Sequence, residues 1–176
     1  MELNDETLRF IREHCKDDVR NLALQAPKYP GVDMPVALTQ IAGRQAAAEK
    51  IPSWHEEEGI LYPRHLSLEQ CSSEATARYK ASIIPESSSG TLTDLTGGFG
   101  IDCAFLSPKF HHVTYVERQE VLCEIASHNF PLLGLNHIRI ENKDGIRHLQ
   151  EMSSADWIFI DLSLIHISEP TRRVVI

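Results

Sequence analysis

Residues 91–102 read Thr-Leu-Thr-Asp-Leu-Thr-Gly-Gly-Phe-Gly-Ile-Asp, and this stretch decides the fold. Its first part, 91–95, is rich in threonine and leucine and predicts a short strand. The loop Gly97-Gly-Phe-Gly100 follows directly, and glycine lets a backbone adopt positive φ and approach a ligand closely. Residues 101–106 then favour a short helix. A strand, a glycine loop and a helix in this order are typical of a ligand-binding turn in an α/β sheet.

Strands and helices alternate from this stretch up to residue 161. The pattern predicts strands over 112–117, 138–140 and 157–160, and helices over 119–133 and 145–152. Strands that alternate with helices pair in parallel through right-handed crossovers. The sequence therefore predicts an α/β fold that contains the first half, about four parallel strands, of a doubly wound, Rossmann-like sheet.

The region before the sheet is predicted to be helical. The predicted segments are a helical stretch over 3–24 with a second start at Asp17 or Asp18, helices over 35–51 and 67–83, and a loop over 54–64. The start at residue 67 is inferred from Ser67-x-x-Gln70, which matches a capping box. A polar run over 85–90 marks the clearest boundary. We therefore expect a helical N-terminal domain over 1–84 and a sheet domain over 85–161.

Composition and charge narrow the function classes. The formal net charge is −8, which argues against this chain wrapping nucleic acid unaided. The four cysteines and nine histidines show no metal-ligand spacing, so we expect no metal and no disulfide framework. No apolar stretch is long enough to span a bilayer and no secretory signal is visible, so we expect no membrane contact and a cytoplasmic location.

Acidic side chains follow each predicted strand. Asp94, Glu117, Asp144 and Asp161 come at or just after the carboxyl ends of the four strands. In doubly wound sheets, ligands bind at these ends, beside the point where the strand order reverses. We therefore predict a binding site that these four carboxylates share with the glycine loop.

The glycine loop favours one cofactor class over another. A dinucleotide site wants G-x-G-x-x-G, but Gly98-x-Gly100 is followed by Cys103 where the third glycine is expected. Asp94 just before the loop would repel a pyrophosphate, whereas a cofactor with a cationic amine and no phosphate suits it, and S-adenosylmethionine is one. The alternative interpretation is a structural turn with a solvated aspartate.

Three further acids have a structural alternative beside the ligand role. Glu117 can accept hydrogen bonds from both ribose hydroxyls of a cofactor, or can be a surface glutamate paired with Arg118. Asp144 can receive the exocyclic amine of adenine, or can be a helix N-cap. Asp102 is interpreted as an acid favoured by the positive end of a helix rather than as a ligand.

The motifs together resemble those of the class I S-adenosylmethionine-dependent methyltransferases. They are Asp94-Leu-Thr-Gly-Gly-Phe-Gly100, Tyr115-Val-Glu117-Arg118, Asp144-Gly145 and Ile158-Phe-Ile-Asp161. More narrowly, Ala42-Gly-Arg-Gln45, Pro52-Ser-Trp54 and the segment 66–74 resemble the bacterial members that carry a C-terminal THUMP-like domain. The resemblance implies S-adenosylmethionine as cofactor and RNA as substrate.

The resemblance also implies roles for individual residues. The cofactor would be bound by Asp94 at the methionine amine, by Glu117 at the ribose and by Asp144 at the adenine. Its remaining contacts would come from Thr96, Gly97, Gly98, Gly100, Arg118 and Gly145. Asp161 would lie at the acceptor and is the candidate catalytic residue. The rival functions are an NAD-dependent oxidoreductase and a non-catalytic cofactor-binding fragment.

The sequence departs from the family after Asp161. Residues 162–172, Leu-Ser-Leu-Ile-His-Ile-Ser-Glu-Pro-Thr-Arg, match the translation of a tagmentation sequencing adapter. We therefore interpret 162–176 as an artefact and the chain as truncated, without the domain that reads the RNA. On this interpretation the parent protein is an active enzyme and this fragment is inactive and poorly soluble, with a hydrophobic edge exposed at 157–160. The sequence leaves the oligomeric state open.

Overall fold

A computed structural model describes residues 4–85 and 90–161. In these ranges the helices are α1 Asp5–Glu13, α2 Val19–Leu24, α3 Met34–Lys50, α4 Pro52–Glu56, α5 His65–Gln70, α6 Glu74–Ile83, α7 Ile101–Leu106, α8 Glu120–Leu132 and α9 Gly145–Glu151. The strands of the same ranges are β1 Thr91–Asp94, β2 His112–Glu117, β3 Ile138–Asn142 and β4 Trp157–Phe159. The predicted artefact at 162–176 and most of the predicted linker lie outside the described residues.

The described strands form one parallel sheet in the order β3-β2-β1-β4. The chain runs outward from β1 through β2 to β3, then crosses back to place β4 on the other side of β1. The strand order therefore reverses at β1, which puts the glycine loop at the switch point of a doubly wound sheet. The predicted α/β class and parallel sheet are confirmed.

Side-chain caps explain where most of the N-terminal helices begin. The side chains of Asn4, Asp18, Asp33 and Ser73 accept hydrogen bonds from backbone N–H groups in the first turns of α1, α2, α3 and α6. Each cap satisfies a donor that has no partner inside the helix. The predicted second start near Asp18 is confirmed by its cap.

Two predictions about the N-terminal region are wrong. The predicted loop over 54–64 contains the end of α4, and Trp54 is only 2% exposed. Pro52 supports this helix start because it suits a first helical turn. The predicted helix from Ser67 is two helices, α5 and α6, and the cap is Ser73 rather than Ser67. The sequence Ser73-x-x-Thr76 lacks the Glu or Gln that a capping box contains, so the capping-box pattern matches at Ser67 and not at the true cap.

The helices between residues 47 and 84 pack on the sheet. One hydrophobic cluster joins Trp54, Tyr62 and Ala77 to sheet-domain residues that include Leu92 and Phe99, and the Trp54 and Phe99 rings lie 5.1 Å apart. A second cluster, around Phe10 and Ile41 and their neighbours, holds α1, α2 and the start of α3 together. The division at residue 84 stays a prediction.

An apolar surface is exposed at one edge of the described sheet. Strand β4 pairs with β1, and Trp157, Ile158 and Ile160 are 40%, 44% and 52% exposed. The predicted hydrophobic edge over 157–160 is therefore present in the described part of the chain. An unpaired strand edge of this kind favours association with other chains.

Candidate functional site

A cavity of about 400 Å³ opens at the carboxyl ends of the strands. Its wall contains residues from the glycine loop, from the ends of β2 and β4, from the start of α9 and from the α5–α6 region. The lining residues that the sequence predicts as site residues are Thr96, Gly97, Gly98, Gly100, Glu117, Arg118, Asp144, Gly145 and Asp161. The fold therefore brings nine of the ten predicted residues to one cavity. Asp94 is the exception, and it lies outside the lining.

The glycine loop needs glycine for two separate reasons. Gly98 and Gly100 have φ values of +55° and +89°, a region that other residues rarely adopt. At Gly97 the requirement is space, because an added Cβ would lie 2.3 Å from the ring of Tyr115. Tyr115 is fully buried, and its hydroxyl donates to the carbonyl oxygen of Gly98 over 2.6 Å. The loop is thus held against β2 by a rigid side chain.

Asp94 ends β1 and is buried behind the loop, with 1% of its surface exposed. The backbone N–H of Thr96 donates to its Oδ1 over 2.9 Å. Burial raises the pKa of Asp94 to about 7, against the lowering effect of the Thr96 hydrogen bond. A carboxyl group with this pKa changes its charge near neutral pH, and a cation placed beside it would favour the ionised form.

Glu117 ends β2 and connects two turns of the site. Its Oε2 accepts from the N–H of Gly98 over 2.9 Å, and its Oε1 accepts from the N–H of Gln119 over 2.8 Å. Each carboxylate oxygen has a second lone pair that can accept another hydrogen bond. The alternative prediction for Glu117 is an ion pair with Arg118 at the surface. In the structure its carboxylate instead accepts hydrogen bonds from two backbone N–H groups. The geometry holds an acceptor pair facing the cavity.

Asp144 is the N-cap of α9, where its Oδ1 accepts from the N–H groups of Ile146 and Arg147. The structural alternative that the sequence offers for this residue is therefore present. Asp144 also lines the cavity, so capping and ligand contact are compatible. Glycine at position 145 lets the start of α9 lie close to the end of β1, because a Cβ there would lie 2.4 Å from the carbonyl oxygen of Leu95.

Asp161 lies just after β4, on the opposite side of the loop from Glu117. Its backbone N–H donates to Oγ1 of Thr96 over 2.8 Å, which fixes the end of β4 to the glycine loop. Its carboxylate Oδ2 pairs with the ammonium of Lys80 at 2.6 Å, and about half of the Asp161 side chain is exposed. The candidate catalytic residue thus faces both solvent and the cavity.

Sequence reasoning missed one wall of the cavity. Four lining residues come from α5 and the turn after it: Ser67, Gln70, Cys71 and Ser72. Burial raises the pKa of the Cys71 thiol to about 11, which keeps it protonated and a poor nucleophile. These residues belong to segment 66–74, which carries part of the family resemblance, but they follow no strand end and no glycine pattern. The sequence therefore assigns them no place in the site, and the packing of α5 beside the loop reveals it.

The polar groups of the cavity suit an uncharged or cationic ligand with several hydroxyl or amine donors. Four acids line it, Asp102, Glu117, Asp144 and Asp161. Cys103, where a dinucleotide loop would have its third glycine, is fully buried in the hydrophobic core. In the described residues, no group of histidine, cysteine and acidic side chains could hold a metal ion. The same residues contain no helix that could cross a membrane.

Comparison with known proteins finds similarity only among solved structures, since no family model and no curated protein matches the sequence. Two partial likenesses have low scores. Trm5b from Pyrococcus abyssi matches with 21% identity and a TM-score of 0.44, over 52% of this chain and 27% of that one. A protein-L-isoaspartate O-methyltransferase matches with 21% identity and a TM-score of 0.42, over 81% of this chain and 47% of that one.

A stronger likeness covers both the helices and the sheet. A candidate methyltransferase from Porphyromonas gingivalis W83 is similar over 90% of this chain, with 26% identity and a TM-score of 0.69. The match covers 41% of that protein, so the chain spans less than half of its length. Together with the parallel sheet, its switch point and the glycine loop, this likeness shows that the chain has the Rossmann-like fold found in methyltransferases.

Proposed function

We propose that this chain is the cofactor-binding part of an S-adenosylmethionine-dependent methyltransferase. The observation that supports it most is the cavity at the switch point, where Glu117 and the glycine loop are joined by a hydrogen bond. The structural likeness to the Porphyromonas gingivalis protein supports the same class. No described feature favours the oxidoreductase.

In this proposal, different cavity residues contact different parts of the cofactor. Glu117 accepts hydrogen bonds from the ribose hydroxyls, and Asp144 accepts from the exocyclic amine of adenine while it caps α9. Gly97, Gly98 and Gly100 let the loop backbone approach the methionine part, with Thr96, Arg118 and Gly145 completing the wall. Asp94 is proposed to receive the methionine amine from behind the loop.

Methyl transfer then depends on position more than on acid–base chemistry. The bound cofactor supplies an electrophilic methyl group on a positively charged sulfur. The task of the chain is to hold this group in line with the acceptor atom, which lowers the entropic part of the barrier. Asp161, at the open side of the cavity, is the residue proposed to contact the acceptor.

RNA is the proposed acceptor, and this part rests on the sequence resemblance to the THUMP-like group. A chain with a net charge of −8 gains little from phosphate contacts, so the proposal assigns RNA reading to another part of the full protein. Tritiated S-adenosylmethionine incubated with total RNA, and separately with total protein, tests the acceptor class. We expect label in RNA with the full-length protein and none with the 176-residue chain.

Glu117→Gln is expected to weaken S-adenosylmethionine binding by about tenfold or more. The amide keeps the size of the side chain but replaces one acceptor oxygen by a donor, which removes a charged hydrogen bond to the ribose. Glu120→Gln is the matched control, because Glu120 lies in the first turn of α8 outside the cavity lining. Isothermal titration calorimetry measures both; equal affinities for the two variants would remove Glu117 from the site.

Asp144→Ser separates the capping role from the ligand role. Serine is a good N-cap, so the free energy of unfolding should change by less than about 0.5 kcal/mol. Its short hydroxyl does not reach the adenine, and we expect S-adenosylmethionine affinity to fall by about tenfold. Asp144→Ala is the companion variant, expected to lose about 1 kcal/mol of stability as well. Unchanged affinity in the serine variant would leave Asp144 as a cap alone.

A further inference from the structure

A four-residue polar network lies between the N-terminal helices and the cavity. The ammonium of Lys80, on α6, donates to Oγ of Ser72 at 2.9 Å, to Oδ2 of Asp102 at 3.1 Å and to Oδ2 of Asp161 at 2.6 Å. The three donors of the ammonium thus meet three acceptors. Ser72, Asp102 and Asp161 all line the cavity, so this network forms part of its wall.

The network keeps two carboxylates at the cavity in fixed positions. Asp102 is mostly buried in the first turn of α7, and Ser72 donates to its Oδ2 as well. In the described part of the chain, its other oxygen, Oδ1, is buried and accepts no hydrogen bond. Lys80 and Ser72 are therefore the hydrogen-bond donors to the Asp102 carboxylate. Removing either donor raises the free-energy cost of burying this carboxylate.

Lys80 carries its charge under all ordinary conditions. Burial lowers its pKa, but the hydrogen bonds and charges of Asp161 and Asp102 outweigh that effect, so the net direction is upward. The ammonium also lies 5.2 Å from the centre of the Phe159 ring, at the end of β4. The side chain is thus held on several sides rather than free in solvent.

We propose that Lys80 is a positioning residue that holds Asp102 and Asp161 at the cavity while its ammonium offsets part of their negative charge, and that it thereby limits how strongly the site prefers a cationic cofactor over its neutral product. This inference rests on the proposed function, because it concerns S-adenosylmethionine and S-adenosylhomocysteine. It makes helix α6, outside the sheet, a functional part of the site.

The charge argument follows from the size of the cavity. A ligand anywhere in about 400 Å³ lies within roughly one Debye length of the lining carboxylates. The cofactor carries a sulfonium charge and a methyl group that the product has lost, whereas the rest of the two molecules is shared. A change in wall charge therefore alters the ratio of their affinities, while a loss of folded protein lowers both affinities together.

Calorimetric titration of the 176-residue chain with both ligands tests the proposal. Lys80→Met keeps most of the side-chain length but removes the cation, and we expect the affinity ratio of S-adenosylmethionine to S-adenosylhomocysteine to rise about three- to tenfold. Asp161→Asn removes a negative charge from a half-exposed side chain, and we expect the ratio to fall. Unfolding would lower both affinities in either variant, so it cannot move the affinity ratio in opposite directions in the two variants.

Two controls make the result specific. Lys80→Arg keeps the positive charge and should have the wild-type ratio of S-adenosylmethionine to S-adenosylhomocysteine affinity. Arg78→Met removes a cation from the same helix, but Arg78 pairs with Glu74 and lies outside the cavity lining, so the ratio should stay unchanged. A wild-type ratio in both Lys80→Met and Asp161→Asn would overturn the inference while leaving the proposed function intact. Absence of binding of either ligand to the wild-type chain would overturn the proposed function and this inference with it.

Discussion

Gly97→Ala is expected to destabilise the protein by about 2 to 4 kcal/mol and to abolish S-adenosylmethionine binding. The new methyl group would lie 2.3 Å from the ring of Tyr115, which is fully buried and packs edge-on against Phe130. The ring or the loop must move, and either movement breaks the hydrogen bond from Tyr115 to the carbonyl of Gly98. That bond fixes the loop conformation that lines the cavity.

Gly134→Ala is the matched control for this variant. Gly134 has a φ of +74°, but an added Cβ there meets nothing within 4 Å. The expected cost is therefore the backbone cost alone, about 1 kcal/mol, with cofactor binding retained. Urea denaturation gives both stabilities and calorimetry gives both affinities. If Gly97→Ala behaves like Gly134→Ala, the contact with Tyr115 does not shape the loop.

Asp94→Asn is expected to stabilise the protein near neutral pH by up to about 4 kcal/mol. Burial raises the pKa of Asp94 to about 7 from an ordinary value of 3.8, so ionising this group costs the folded state more than the unfolded chain. Between these values the folded state binds the proton more tightly. The contribution of Asp94 to stability is therefore present below about pH 4 and is lost as the pH rises towards 7. Asparagine keeps the oxygen that accepts from Thr96 and removes the charge.

The pH dependence isolates this effect. Urea denaturation at pH 5 and pH 8 should show that the wild-type protein loses more stability between these pH values than Asp94→Asn does. Titrating groups away from Asp94 are shared by the two proteins and cancel in the difference, whereas Asp102 and Glu117 are its charged neighbours. Equal losses would show that Asp94 has an ordinary pKa in the folded state.

The same variant tests the proposed contact with the methionine amine. A cation beside Asp94 favours the ionised carboxylate, so binding should release a proton near pH 7. We expect Asp94→Asn to bind S-adenosylmethionine about tenfold more weakly, which makes it more stable and less functional at once. Undiminished affinity would restrict Asp94 to positioning Thr96.

The sheet could be predicted from the sequence because its strands and helices are short, strongly patterned and separated by clear turns. Strand β2 and helix α7 have the predicted bounds, and the other strands differ by at most two residues. The site followed from one general rule, that ligands bind at the carboxyl ends of parallel strands. Nine predicted residues line the cavity for that reason.

The helices before the sheet were harder because their positions depend on tertiary packing. Trp54 lies in a five-residue helix whose stability comes from contact with Phe99, some 45 residues away, and no local pattern encodes that contact. The serine at position 67 matched a capping box better than Ser73, although Ser73 is the cap. Local propensity ranks the possible helix starts, and tertiary packing determines which of them forms.

Two features of the site depend on contacts distant in sequence. The network of Lys80 includes a hydrogen bond between residues 81 positions apart, and it is formed only when α6 packs beside α7 and β4. The exclusion of a side chain at Gly97 depends on Tyr115, in the neighbouring strand. A glycine pattern predicts a close approach but does not say which atoms approach.

Direct titration of the 176-residue chain with S-adenosylmethionine, alone and with excess NAD⁺, tests the central claim. We expect a single binding event that NAD⁺ leaves unchanged and that Glu117→Gln weakens while Glu120→Gln does not. No binding of S-adenosylmethionine to the folded wild-type chain, or displacement of it by NAD⁺, would contradict the account.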